Sequence, residues 1–358
     1  MTTARLTVLR TGPLVTIQDG GRFGHARFGV PASGPMDRFS FSLGQHAAAN
    51  PRQASEVPAD SDGKVEASGA ALEVSLAGID LVCSFGSLTL AATGLGFRLK
   101  VNDCMLASPA ILTLNEADTF SLRPGVVGSW GYIAFAGELD RPSWLASRAT
   151  HLLSGFGGGV VQTGDTLTIH SARCEPRLDG PMLAEVPGVD AAAPSDDFRV
   201  VLGPQQEFFS PSAQEALLSA PFTLTDAYDR MGVRLNGPSI EPLGDLSLPS
   251  QAIVRGSIQV AGDGVATVLL ADHQTTGGYP KIATVIEADL DRFAQKRAGE
   301  TVTFSAVTPA EAIRLTRVRA AEIAAIYATA RDGGGSLDAR LMTENLIGGV
   351  VDGAKLEN

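Results

Sequence analysis

Three things are scarce in this chain: paired cysteines, clustered basic residues and long apolar runs. Each scarcity removes a class of answer. The three cysteines, Cys83, Cys104 and Cys174, are widely spaced and form no CxxC pair. That pattern excludes zinc-finger and thioredoxin-type readings and suits reduced thiols. Charged residues are 19% of the chain and sum to a formal net charge of -11. Phosphate backbones and anionic lipid surfaces attract a basic face, and no Lys/Arg cluster provides one, so neither nucleic acid nor membrane is expected as a partner. The longest apolar stretches, such as Val265–Ala271, are strand-length, far below the roughly 18 to 20 residues of a membrane helix. Met1–Gly12 carries Arg5 and Arg10 but no apolar signal-peptide core, so a cytoplasmic protein is expected. The five histidines, His25, His46, His151, His170 and His273, show no HxxxH-type spacing, so no metal site is expected.

What remains describes a folded, strand-rich protein. Hydrophobic residues make up 44% of 358 residues, enough for a sizeable core. At roughly 150 residues per domain, the length predicts about two domains. Gly 40 and Pro 20 favour many turns. Short apolar runs recur between them: Leu6–Leu9, Val15–Gln18, Glu73–Ser75, Ile79–Cys83, Leu88–Leu90, Ile111–Leu114, Tyr132–Phe135 and Thr166–Ile169. In the second half come Arg199–Leu202, Gln251–Val254, Ser257–Val260, Thr267–Leu270 and Thr301–Ser305. Such runs predict sandwiches or barrels rather than βαβ units. One helix is expected from Pro35, with Met36, Phe39, Leu43 and Ala47 on one face, ending at Asn50-Pro51. A second is expected near Ser212–Leu218, with Ser212 and Glu215 at capping-box spacing. A third is expected after the N-cap Thr308, with Pro309 first, Glu311 in the first turn and an apolar face of Ala312, Leu315, Val318, Ile323 and Ile326. Gly333-Gly334-Gly335 would end it, and the tail 336–358 would dock on the body or on a partner. The polar stretch 51–69 reads as a loop and 176–197, with four prolines, as a linker. The expected organisation is a β module over 1–175, a β module over 198–307, and a helix and tail over 308–358.

Four segments mix polar side chains with glycine and proline. In the first, Gly20-Gly21 permits close backbone approach between Asp19 and Arg22, and Ser33, Met36 and Asp37 follow. Either Asp19 and Arg22 pair at a capped turn, or Arg22 holds a carboxylate. In the second, around Asp229, Arg230, Met231 and Arg234, both arginines are able to clamp a carboxylate or phosphate, with Asp229 orienting one of them. The alternative is a strand with exposed alternating charges. The third holds Gln259 and then Gln274, Thr275, Thr276, Gly277, Gly278, Tyr279 and Lys281. It follows an apolar strand, a common place for sites, and Lys281 beside two glycine amides suits oxyanion or phosphoryl stabilisation. It lacks the GxxxxGK[ST] pattern of a P-loop. The fourth, Ser154–Gly159, resembles a phosphate loop only superficially, because strand rather than helix follows it. A bulged turn is the better reading.

Together, TIQDGGR, GVPASGPMD, SRATHLLSGFGG, GPQ, YDRMGVRLNGP, GSIQV and LLADHQTTGGYPKIATVI resemble blocks of the biotin-dependent carboxyltransferase / allophanate hydrolase subunit 2 family. The nearest functional label within it is the C subunit of 5-oxoprolinase, also described as a sporulation-kinase-inhibitor antagonist. The resemblance covers nearly the whole chain. It implies a mainly β fold of two cyclophilin-like barrel modules with a few short helices. It also implies partners, a kinase-inhibitor-like B subunit and a lactam-utilisation-type A subunit, with which the chain would cleave 5-oxoproline to glutamate at the expense of ATP. Related domains in urea carboxylase move a carboxyl group from carboxybiotin to urea. No AMKM-type biotinyl-lysine segment is present, so biotin would arrive on another protein. A third expectation is a regulatory protein that binds a kinase inhibitor without catalysis.

Carried over position by position, the resemblance implies catalytic roles for Asp19, Asp229, Arg230 and Lys281. It implies substrate contacts by Arg22, Ser33, Met36, Asp37, Met231, Arg234, Gln259 and Gln274 to Tyr279. The first segment is expected to fold over the second and third into one cleft, where Arg230, Arg234 or Lys281 binds substrate and Asp229 or Asp19 acts as base or orienter. The chain departs from the family at the 51–69 insertion, at Val233 for a usual Tyr, at Ala261 for a usual Pro, and at Ala136-Gly137 for Gly-Gly. Those changes bear on pocket shape and substrate.

Overall fold

The computed structural model describes residues 2–48, 69–175, 180–181, 195–243 and 248–329, with backbone alone at 180–181 and 328–329. The insertion at 51–68, most of the linker and the tail after the last helix lie outside the described residues.

The N-terminal half comprises β1 (Thr3–Thr11), β2 (Thr16–Gln18), β3 (Ala71–Val74), β4 (Ile79–Phe85), β5 (Leu88–Thr93), β6 (Arg98–Val101), β7 (Cys104–Ala107), β8 (Ala110–Leu114), β9 (Thr119–Arg123), β10 (Gly131–Phe135), β11 (Glu138–Leu139), β12 (Thr166–His170) and β13 (Gly180–Pro181). They form two sheets, ordered β11-β12-β1-β4-β9-β6-β7 and β13-β8-β5-β10-β3-β2. The outer sheet is half-solvated, so its central strands alternate: Leu6 and Val8 in β1, and Ile79, Leu81 and Cys83 in β4, point inward. The inner sheet is covered on both faces, so β3, β5 and β10 are buried throughout. Alternate residues of β10 serve different cores. Ile133 and Phe135 pack between the sheets, while Tyr132 and Ala134 belong to a second core shared with the C-terminal half.

The C-terminal half comprises β14 (Asp197–Leu202), β15 (Phe222–Tyr228), β16 (Gly232–Asn236), β17 (Gln251–Ala252), β18 (Ser257–Val260), β19 (Ala266–Leu269), β20 (Thr276–Gly277), β21 (Lys281–Val285) and β22 (Thr301–Ala306). Seven of these close a barrel in the order β14-β21-β18-β19-β16-β15-β22. Closure leaves the barrel without a free edge. The fold is thus mainly β, as expected. Among the described residues this half forms the closed barrel and the N-terminal half two packed sheets.

Four α-helices complete the described residues: α1 (Arg38–Ala47), α2 (Pro211–Ser219), α3 (Glu287–Ala294) and α4 (Pro309–Thr329). The expected start of the first helix at Pro35 is corrected. Asp37 is the N-cap, its Oδ1 accepting from Ser40 N at 2.9 Å. In α2 the cap is Ser210 rather than Ser212, with Pro211 in the first turn. α3 is absent from the sequence reading because its apolar residues, Leu290, Phe293 and Ala294, are too few to show a period. α4 starts as expected, with Glu311 N donating to Thr308 Oγ1 at 3.2 Å. Of its expected apolar face, Ala312, Leu315 and Ile323 are half-buried. Val318 is exposed, and Ile326 alone among the five is fully buried. Two parts of the expected linker are described. Gly180 and Pro181 pair with Ile111 and Ala110, and Asp197 already belongs to β14.

Candidate functional site

Arg230 lies at the turn between β15 and β16 and is fully buried. Its Nη1 donates to Glu73 Oε1 in the inner sheet of the other half. Its Nε and Nη2 donate to the two Asp272 oxygens at 3.1 and 3.0 Å, and Nη2 also reaches the Gly34 carbonyl at 2.5 Å. Glu73 Oε2 accepts from Met36 N at 2.7 Å and from the Tyr132 hydroxyl at 2.9 Å. Burial alone would weaken the guanidinium charge, but Glu73 and Asp272 hold it ionised above its ordinary range. The first segment therefore does fold over the second and third, as expected. Arg230 is the strut that fastens them, with no surface left for a ligand.

Asp19 and Arg22 grip one loop rather than each other. Asp19 accepts from Gly21 N at 3.0 Å, Ser147 Oγ at 2.7 Å and Arg148 N at 2.5 Å. Arg22 donates to the Trp144 and Ala149 carbonyls at 3.0 and 2.7 Å, with its guanidinium 4.8 Å from the Trp144 ring centre. Burial raises the Asp19 pKa and lowers that of Arg22. Arg22 Nη1 and Ser33 Oγ are buried without a hydrogen bond among the described residues.

The third segment brings polar side chains together beside β18 and β21 of the barrel. Gln259 in β18 and Lys281 in β21 are cross-strand partners. Gln205, just past β14, accepts from Lys281 N at 2.9 Å and donates to Gln251 Oε1 at 2.9 Å. Gln274 Nε2 donates to Gln259 Oε1 at 3.3 Å, and Gln259 Nε2 to the Tyr279 carbonyl at 3.4 Å. The small two-stranded β17–β20 sheet, holding Thr276 and Gly277, adjoins them, with Thr275 O accepting from Ile253 N at 3.1 Å. A Cβ on Gly277 would stand 2.6 Å from Ile253 Cδ1 and 2.8 Å from Gln259 Nε2, so any side chain there has to displace the ends of both. Lys281 is 2% exposed, and its Nζ makes no hydrogen bond among the described residues. Burial, with no opposing charge, pushes its pKa below the ordinary value. An ammonium taken out of water without an acceptor is costly. An anionic or carbonyl oxygen supplied by a ligand would satisfy it.

Other expected site residues lie elsewhere. Asp229 orients neither arginine. It is exposed and closes its own turn, accepting from Met231 N at 2.7 Å and Gly232 N at 3.3 Å. Arg234 is on the barrel exterior, paired with Asp263 at 2.6 Å. It does not reach the cleft expected for it, because Arg234 alternates with the inward-facing Val233 and Leu235 on β16. Met36 is a fully buried core residue, and Asp37 is a helix cap that also accepts from Gln295 Nε2 at 2.6 Å. Met231 is half-buried in the turn. Sequence reading missed Glu73, Asp272, Tyr132 and Gln295 as members of this framework. For Glu73 and Asp272 there was a signal, a lone acid within or directly after an apolar run. Among the described residues no group of His, Cys, Asp or Glu is placed to hold a metal ion, and no helix is long and apolar enough to cross a membrane.

Comparison with known proteins gives this geometry its context. Residues 28–306 match the family model described as carboxyltransferase domain, subdomain A and B. The chain is 32% identical over 315 residues to the 5-oxoprolinase C subunit of Haemophilus influenzae, covering 87% of this chain and 94% of that protein. It is 30% identical over 325 residues to urea amidolyase of Lachancea kluyveri, covering 83% of this chain but 16% of that protein. The solved urea carboxylase of Kluyveromyces lactis superposes with a TM-score of 0.78 at 24% identity, over 91% of this chain and 29% of that one, a likeness of fold. The chain belongs to the carboxyltransferase subdomain A and B family.

Proposed function

We propose that this chain is the C-type subunit of an ATP-dependent 5-oxoprolinase, cleaving 5-oxoproline to L-glutamate together with homologues of the A and B subunits. The observation that carries this reading is the buried Lys281 ammonium, which has no hydrogen bond among the described residues and belongs to a strand residue paired with Gln259. A lactam acid presents one carboxylate, one N–H and one C=O. Lys281 complements the carboxylate or an oxyanion formed at the lactam carbon. The amide side chains of Gln259 and Gln274 each carry a donor and an acceptor, which suits the ring amide. The 94% coverage of a relative named as the C subunit of 5-oxoprolinase supports the same reading.

A triphosphate needs several converging donors, whereas the described residues of this candidate site offer a single unpaired cation. ATP is therefore assigned to a partner protein or to a site shared with one. A cytoplasmic setting fits the three free cysteines.

The test is ATP-dependent glutamate release from 5-oxoproline by this chain purified with its A-type and B-type partners. Activity should vanish when the chain is omitted or carries Lys281→Ala. An inactive but well-formed complex would overturn the reading. The second reading, carboxyl transfer from carboxybiotin to a urea-like amide, is favoured by the urea amidolyase relative. Carboxybiotin consumed with urea but not with 5-oxoproline would select it.

A further inference from the structure

A cleft of about 600 Å³ lies between α1, α3 and α4, and Lys281, Gln259 and Gln274 are not among its lining residues. Its apolar wall is built on aromatic rings. Phe39 and Tyr327 are nearly parallel at 14°, with centres 6.0 Å apart. Along α4, Ala320, Ile323 and Ala324 line the cleft near the rings, and Tyr327 also stacks on His46 with centres 4.4 Å apart. A volume of this size accommodates a small organic molecule.

The charged lining is unequal in what it has left to offer. Every acid on α3 is already engaged. Asp291 accepts from Arg38 N at 2.9 Å and Phe39 N at 3.1 Å. Asp289 is held by Arg199, through Nη2 at 2.5 Å and Nε at 3.0 Å. Glu287 accepts from Arg38 Nη1. The arginines keep donors in reserve. Among the described residues, the Arg38 side chain makes no bond beyond Glu287, and Arg319 none beyond Glu322 at 3.3 Å. The Arg319 guanidinium lies 5.4 Å from the Phe39 ring centre, so spare N–H groups stand at the same ring. Spent acids, unspent guanidinium donors and an apolar wall that carries aromatic rings select one kind of guest.

We propose that this cleft is a second ligand site, taking a small organic anion with a flat, aromatic-sized apolar body. The body lies against Phe39 and Tyr327, and the anionic group meets Arg38 and Arg319.

The dye anilinonaphthalene sulfonate, which has this character, serves as the probe on the full chain. Its fluorescence should titrate to saturation and be reversed by phenylacetate, while phenethylamine, with a similar body and opposite charge, should displace it at least about tenfold less well. Ala324→Trp fills the cleft from an exposed helix position, and Arg319→Gln removes a donor at the surface. Both should leave the melting temperature in place and weaken the dye about tenfold. Unchanged dye binding in folded Ala324→Trp, or displacement by the amine as effective as by the acid, would overturn the proposal. Glutamate release by the complex reads Lys281 separately, so failure here leaves the hydrolase reading standing.

Discussion

Arg230 and Glu73, 157 positions apart in the chain, meet in a fully buried ion pair across the two halves of the molecule. Asp272 shares the same guanidinium. One cation between two carboxylates would be poorly balanced in a dry site. The Tyr132 hydroxyl and Met36 amide donate to Glu73, and the Leu152 amide to Asp272 at 3.3 Å, so the excess negative charge is dispersed over hydrogen bonds.

Removing one partner leaves the others buried and uncompensated. Arg230→Ala should therefore destabilise the chain by roughly 3–5 kcal/mol. Urea denaturation checks this. A loss within about 0.5 kcal/mol, the range of ordinary surface changes, would show that the strut carries no such role. Loss of activity in this variant follows from loss of structure, which separates it from Lys281.

Lys281 should behave in the opposite way. Replacing an unpartnered buried ammonium by a similar apolar side chain removes a desolvation cost. Lys281→Met should be as stable as the parent, or more so by about 1 kcal/mol, while glutamate release by the complex is abolished. Thermal unfolding beside turnover tests both halves. A large drop in stability would mean that the ammonium has a structural partner.

Gly277 offers a steric test of the glutamine amides. Gly277→Ala pushes a methyl into Ile253 and the Gln259 amide. The chain should stay folded, and kcat/KM of the complex should fall about tenfold or more, as misplacement of a binding group does. Gln259→Ala should give a similar loss. Full activity in both would remove Gln259 from the site.

Asp37 gives a pH dependence. Burial, and next the neighbouring Asp291 charge, raise its carboxyl from the ordinary 3.8 to about 6. The folded chain then holds this proton more tightly than the unfolded chain. The Asp37 contribution is complete below about pH 4 and is lost as pH rises through about 6. Over that window the parent should lose roughly 1–3 kcal/mol more than Asp37→Asn, which keeps the cap. Unfolding free energies measured across the range check this. Parallel profiles would show that Asp37 titrates normally.

Much of this was legible beforehand because it depends on neighbours in sequence. Thr308-Pro309 with Glu311 starts α4, since capping is a matter of adjacent backbone amides. Alternation in β1 and β4 marked their inward faces. The segment of high polar density from Gln274 to Lys281 does lie beside Gln259, which pairs with Lys281 across the strands and bonds to Gln274. Other features were not local. Ser212 and Glu215 have capping-box spacing, yet Ser210 caps α2, because Pro211 fits the first turn. Nothing adjacent to Asp229 discloses that it serves its own turn while Asp272 orients Arg230.

The mainly β character, the family and the segments that converge were all written in the order of residues, because short-range pattern and motif identity suffice for those. What each charged residue does was settled by the folded arrangement. Arg230, Arg234 and Lys281 are alike in a sequence, each a cation near a strand. Burial and partners make the first a strut between carboxylates, the second half of a surface ion pair, and the third a buried ammonium with no acceptor among the described residues. Desolvation and pairing depend on residues far away in the chain, and only folding brings those together.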